Sequence, residues 1–153
     1  TLTSAYRTDG KQVNITMFEL DRRLAADTKD VGILKLSRVL LMRDARYPWL
    51  ILVPQQAGLI ELGDLDRGDR IHLMDEIEAA SGSLVNLYKP EKIITGALGN
   101  IVRQLHIHIV ARNTDDPAWP GPVWGHSAAL PYADDALDVR IVEIRKALNI
   151  SAD

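Results

Sequence analysis

From Gln104 to Ile109 the chain alternates strictly between two kinds of side chain. Leu105, Ile107, Ile109 and Ala111 are apolar, while Gln104, His106 and His108 between them are polar. Side chains on a β-strand point to opposite faces in turn, so residues 104–112 are expected as a strand with one apolar, buried face. The other face carries an amide and two imidazoles, successive ones roughly 6.6 Å apart along the strand. Backed by an apolar face, such a row makes a platform turned toward a cleft or solvent.

The rest of the chain supplies a sheet and helices to hold that strand. Residues 66–88 form the clearest helix, with Leu73, Ile77, Ala80, Leu84 and Leu87 on one apolar stripe. His72, Glu76 and Ser83 fall on its flank. Asp64 or Asp66 can cap its start, and Pro90 cannot continue it. A second amphipathic helix is expected at 136–148 through Leu137, Ile141, Ile144 and Leu148, and a short one at 18–26. Residues 32–42 read as one strand. Residues 49–53 (WLILV) read as a buried strand ended by Pro54, with 43–48 as the hairpin connection. Residues 92–98 form a further strand, separated from the histidine strand by the turn signal Gly99-Asn100. Residues 116–132, with four prolines and two tryptophans, read as a loop. This order predicts one α+β domain: an antiparallel sheet with a long helix and flanking helices.

At 153 residues one domain is expected, and a domain of that size buries about 68–70% of its unfolded surface. No cysteine is present, which removes disulfides, thiolate metal sites and a thiol nucleophile and suits a reducing, cytoplasmic location. No run of about 18 apolar residues and no basic-then-apolar start is visible, so neither a membrane span nor a secretory signal is expected. The formal net charge is −3, and the basic residues are scattered among carboxylates. A polynucleotide partner, which needs a basic stripe, is therefore not expected. A small phosphorylated ligand needs only local donors.

Two chemistries use histidines paired along a strand. In a metal site both imidazoles are ligands and further donors must follow. The next positions instead hold Ala111, Arg112, Asn113 and Thr114, and a guanidinium is poorly placed beside a cation. In nucleophilic catalysis a neutral imidazole attacks once a hydrogen bond on its other nitrogen fixes the tautomer. Its neighbours then donate to charge building on phosphoryl oxygens. The residues fit the second chemistry better; a metalloprotein using His106 and His108 remains the rival.

The segment QLHIHIV resembles the histidine-triad (HIT) motif, His-φ-His-φ-His-φ-φ, where φ is apolar. Residues 41–54 (LMRDARYPWLILVP) are similar to the family's strand, acidic or amide residue, turn and Pro-ended second strand. Residues 99–104 (GNIVRQ) are similar to the Gly-amide-x-Val segment that leads into the triad. The likeness covers residues 31–112 of a single HIT-like domain, 1–153, whose Pro/Trp-rich tail and C-terminal helix occupy 113–150. What the resemblance implies is a nucleotide hydrolase or transferase acting at the α-phosphorus of a dinucleoside polyphosphate or nucleoside phosphoramidate. His106 would be the nucleophile, forming a nucleotidyl-histidine that water or another acceptor resolves. His108 would donate to a phosphoryl or bridging oxygen, Asn100 would contact phosphate or leaving group, and Asp44 would accept from the ribose hydroxyls. A homodimer is implied as well; no cofactor or metal is expected. Gln104 stands where the family has its first histidine and is expected to donate an N–H to phosphoryl charge without being able to ionise. A binding module that keeps the nucleotide cleft but has lost turnover is the second rival.

Other residues invite weaker readings. His72 reads as a solvated helix residue and His126 as part of the tail. Trp119 and Trp124 read as hydrophobic plugs. Residues 96–100 lack the Gly-Lys-Ser/Thr ending of a phosphate-cradling loop, and Ser81-Gly82-Ser83 lies within the long helix rather than at a nucleophile elbow.

Overall fold

The strand pairings follow the apolar runs. In the computed structural model, which describes residues 3–8 and 11–151, five strands form one antiparallel sheet: β3 (Thr28–Ile33), β4 (Ser37–Met42), β5 (Trp49–Pro54), β6 (Lys92–Gly96) and β7 (Ile107–Arg112). Their spatial order is β3–β4–β5–β7–β6, so the fully buried β5 and β7 lie inside the sheet. Residues 3–8 and 11–16 pair as a separate two-stranded antiparallel sheet, β1 (Thr3–Thr8) with β2 (Lys11–Thr16), which the apolar pattern does not announce. Of the expected domain 1–153, residues 1–2, 9–10 and 152–153 lie outside the described residues.

The long helix α2 (Arg67–Tyr88) starts at the Asp66 cap, whose carboxylate accepts from Asp69 N–H at 2.8 Å, and ends at Lys89 in a left-handed conformation. Its stripe packs as expected: Leu73, Ala80 and Leu84 are buried, with Ile77 and Leu87 against the same cluster. Helix α3 (Ala136–Leu148) adds Leu137, Ile141 and Ile144. These helices cover one face of the sheet, where they meet Leu50, Leu52, Ile107 and Ile109.

The opposite face is not wet. Leu40, Tyr47, Trp49, Ile51, Val53 and Val110 form a second core cluster, closed by Leu24 and by Ala118 and Val123 of the tail. The Trp-rich tail is therefore turned inward, covering the histidine face.

Several expected elements have different bounds. Residues 32–42 are not one strand: the chain reverses after Ile33, Leu34 N–H donating to Ser37 O at 2.8 Å, and returns as β4. The reversal is held by Glu76 of α2, whose buried carboxylate accepts from Leu36 and Ser37 N–H, both at 2.9 Å. A period-two pattern looks alike on either side of so tight a turn. The helix expected over 18–26 is shorter, α1 (Arg22–Asp27), because Asp21 caps it by accepting from Arg23 N–H at 2.8 Å. Phe18 and Leu20 precede the helix and pack on the second cluster. Finally, β7 begins at Ile107 rather than Gln104 and β6 ends at Gly96. Pairing runs from Lys92↔Arg112 to Gly96↔His108 and stops there, so residues 97–106 cross outside the ladder.

Candidate active site

In the β5–β7 register Trp49 lies opposite Val110 and Ile51 opposite His108, which puts these side chains on the second face. Trp49 reaches diagonally, and its indole N–H donates to His108 Nδ1 at 3.0 Å. An indole nitrogen only donates, so Nδ1 carries a lone pair and neutral His108 keeps its proton on Nε2. His106, the residue before β7, has Nδ1 2.6 Å from the carbonyl oxygen of Gln104. A carbonyl only accepts, so in the neutral ring the proton is on Nδ1 and the lone pair is on Nε2. The two rings, 4.9 Å apart between centroids, are thus set in opposite tautomers: one able to attack, the other to donate.

Both imidazoles are only 6% exposed. Burial, and then the neighbouring His106, lower the pKa of His108 to about 4, so it stays neutral at pH 7. They line a cavity of about 740 Å³, in the size range of small-molecule sites. Arg23, Leu24 and Asp27 enter it from α1, Met42 and Arg43 from the end of β4, and Trp124 and Ser127 from the tail. Asn100 also lines the cavity and is exposed.

Asp44 lines the same cavity but is almost wholly enclosed. Its Oδ1 accepts from Arg46 Nε at 2.9 Å, Arg46 N–H at 3.1 Å and Leu130 N–H at 3.3 Å, and its Oδ2 from Arg46 Nη2 at 2.8 Å. Burial alone would raise the carboxyl pKa; the Arg46 hydrogen bonds and charge, with Leu130 N–H, outweigh it and hold the group below its ordinary value. The expected carboxylate is in the site, yet one oxygen is already filled.

Gln104 is placed differently from expectation. It does not line the large cavity; with His106 and Leu105 it borders a smaller one of about 260 Å³. Its Oε1 accepts from Asp21 N–H at 2.9 Å and its Nε2 donates to Glu19 O at 2.8 Å. Gln104 and His106 both lie before β7, and the Gln104 side chain is engaged by Asp21 and Glu19 rather than turned into the large cavity.

Among the described residues no group of three or more His, Cys, Asp or Glu side chains could hold a metal ion. No helix among them is long and apolar enough to cross a membrane.

The family profile of the HIT domain matches residues 23–115. The chain belongs to the histidine-triad family. A histidine triad protein from Bradyrhizobium japonicum is 43% identical, its solved structure superposing with a TM-score of 0.85 over 87% of this chain and 99% of that one. One from Sinorhizobium meliloti is 44% identical, with a TM-score of 0.83 over 85% and 96% of the two chains. One from Marinobacter aquaeolei is 40% identical, with a TM-score of 0.85 over 88% and 98%. A search of curated proteins returned no match. Membership supports a general nucleotidyl-transfer or phosphohydrolase role and the binding of a small nucleotide.

Several residues that shape this HIT site are not visible in the motif. Trp49 fixes the His108 tautomer, and only the strand register could have paired them. Trp124 stacks edge-on to His108 at 5.3 Å and to Trp49 at 6.5 Å. It fits because position 96 is glycine: a Cβ there would meet the Trp124 ring at 3.1 Å. Arg46 not only grips Asp44 but donates to the Ser127 side chain and, at 3.3 Å, to Ser127 O, tying the tail to the β4–β5 turn. The tail's fold starts from a buried ion pair. Arg112 donates to Asp116 at 2.6 and 3.0 Å and to Gly121 O at 2.8 Å, and its guanidinium lies over the rings of Tyr47 and Trp119. Asp116 also accepts from Ala118 and Trp119 N–H. His126 is exposed and His72 half-exposed on α2, and neither lines the cavity.

Proposed function

We propose that this HIT protein hydrolyses or transfers a nucleotidyl group from a dinucleoside polyphosphate or nucleoside phosphoramidate, through an intermediate on His106. The Nε2 lone pair of His106 attacks the α-phosphorus; an Nε2–P bond forms as the bond from phosphorus to the leaving oxygen or nitrogen breaks, the leaving group taking the electron pair and, where it is an amine, a proton from solvent. His108 holds its Nε2–H toward a phosphoryl or bridging oxygen. Water or another acceptor then attacks the phosphorus, loses its proton to solvent, and releases His106 with its lone pair restored.

The observation that carries this reading is the opposed protonation of the two rings. A nucleophile needs a free lone pair and a donor needs a proton, and the Gln104 carbonyl and Trp49 indole give one to each. Asp44 would receive a ribose hydroxyl on Oδ2, the oxygen with a single donor, while Arg46 keeps the carboxylate ionised and oriented. Asn100 would offer its amide to a phosphoryl oxygen from the rim. Gln104 in place of the first histidine leaves this chemistry intact, because its carbonyl, not its side chain, meets the nucleophile. The resemblance also implies a homodimer; light scattering at micromolar concentration is expected to give twice the chain mass.

The reading is tested with a panel of dinucleoside polyphosphates and nucleoside phosphoramidates, assayed with the parent chain and His106→Ala. At least one compound should be cleaved by the parent and none by the variant. Hydrolysis by His106→Ala at the parent's rate would end the proposal.

A further inference from the structure

Gln104 sits in the stretch between β6 and β7 that no sheet pairing holds. Its carbonyl sets the His106 tautomer, so whatever fixes that carbonyl also fixes the nucleophile. The next residue is tied by Leu105 N–H donating to Leu59 O at 3.0 Å. Gln104 itself is tied through its own side chain. The amide spans two backbone groups more than eighty residues upstream, accepting from Asp21 N–H at 2.9 Å and donating to Glu19 O at 2.8 Å. Those groups lead directly into α1, capped by the Asp21 carboxylate, and α1 contributes Arg23, Leu24 and Asp27 to the large cavity.

We infer that Gln104 is a positioning residue whose side-chain amide couples the segment leading into α1, and so the cavity wall, to the orientation of His106. Only a group that donates and accepts at once serves both backbone partners. An amide does so at any pH, whereas an imidazole that gains a proton loses its acceptor. The inference rests on the nucleophilic role proposed for His106, yet its first readout does not require turnover.

That readout is the nitrogen-15 NMR spectrum of the histidine side chains in the full chain. The parent should show His106 protonated on Nδ1 alone. In Gln104→Leu, which keeps bulk but loses both hydrogen bonds, His106 should become a mixture of tautomers, and amide exchange over residues 19–24 should quicken. If Gln104→Leu fails to fold, Gln104→Glu is used; its carboxylate keeps the bond from Asp21 N–H and loses the one to Glu19 O. The kinetic arm compares Asp21→Pro with Asp21→Ala. Both remove the cap, but only proline also removes the N–H that Gln104 accepts, and the φ of −54° at Asp21 admits it. With Gln104 present, kcat should be lower in Asp21→Pro by about 10-fold or more, within the ~10²-fold that a 1 Å misplacement costs. Combined with Gln104→Leu, the two Asp21 variants should be equal. An unchanged His106 tautomer in the Gln104 variant, or the same proline–alanine difference in both backgrounds, would overturn the inference. If no nucleotidyl transfer is ever found, the proposed chemistry fails, while the tautomer and exchange readouts still decide the role of Gln104.

Discussion

On the helix-covered face of the sheet, Leu50, Leu52, Ile107 and Ile109 pack with apolar side chains of α2 and α3. On the other face, Ile51 and Val110 share their layer with Trp49, His106 and His108, and the tail closes over them through a buried Arg112–Asp116 pair. The first face gains stability from burial, about 1.5–3 kcal/mol for each large side chain. The second buries imidazole, indole and guanidinium groups, each of which would cost stability without a hydrogen-bond partner. Three of them have partners, Trp49 for His108, the Gln104 carbonyl for His106 and Asp116 for Arg112, whereas the buried Trp124 indole N–H and Tyr47 hydroxyl have none among the described residues. The same two strands thus pack helices on one side and carry the candidate site on the other.

The contrast can be broken most forcefully at its two extremes. Replacing His106 with Ala should lower turnover by about 10⁴–10⁶-fold, the scale of a deleted nucleophile, with little change in melting temperature. Replacing Ile109 with Ala should do the reverse, costing about 2–5 kcal/mol by denaturant titration while kcat of the folded fraction stays near the parent's. Equal stability losses in the two variants would erase the distinction between the faces.

Asp44 tests whether the second face is filled or open. Asp44→Ala should weaken binding of a ribonucleotide by about 1.5–3 kcal/mol, the range for hydrogen bonds to a charged group, and weaken binding of the deoxyribonucleotide less. It should also lower stability, because Arg46 would lose its carboxylate in a nearly buried place. Equal losses on ribo- and deoxyribonucleotides by calorimetry would remove Asp44 from the ribose site.

Acid should weaken the same face. The His108 pKa falls from histidine's ordinary 6.5 to about 4 on folding, so between those values the unfolded chain binds more protons than the folded one. Stability contributed by neutral His108 is therefore complete above about pH 6.5 and lost as pH falls toward about 4. Trp49→Phe, which deletes the donor to Nδ1 and keeps an aromatic ring, should cost about 0.5–1.5 kcal/mol at pH 7. A parent chain whose thermal stability is flat over that pH window would show that His108 is not held neutral by the fold.

Much of this was legible in the residues. The α2 stripe and the buried β5 run follow from local periodicity and lie where it places them, and the alternation places His108 on β7 but not His106, which lies just before that strand. Gln104 shows where periodicity stops. Its polar parity continued the strand pattern, but a strand exists only where a neighbour pairs with it, and β6 ends at Gly96. Likewise the partners of Gln104, His108 and Asp44 lie across the fold or in the turn, at Asp21, Trp49 and Arg46, and hydrogen bonds between distant segments leave no spacing to read. The tail's tryptophans read as plugs, and Trp124 packs on the second cluster. The anchor of the tail, however, was hidden for the same reason: Arg112 and Asp116 are close in sequence, yet their burial depends on Tyr47 and Trp119 closing around them.

The division of labour between His106 and His108 is tested most directly by trapping the intermediate. Rapid acid-free quenching of the parent chain during turnover of a cleaved substrate, followed by intact-mass and peptide mass spectrometry, should show one added nucleotidyl group. It should map to the peptide containing His106 and be absent from His106→Ala. In His108→Ala the adduct should still form, more slowly, because the nucleophile is intact and a donor is lost. Turnover with no adduct at any time point, or an adduct that maps to His108, would contradict the assignment.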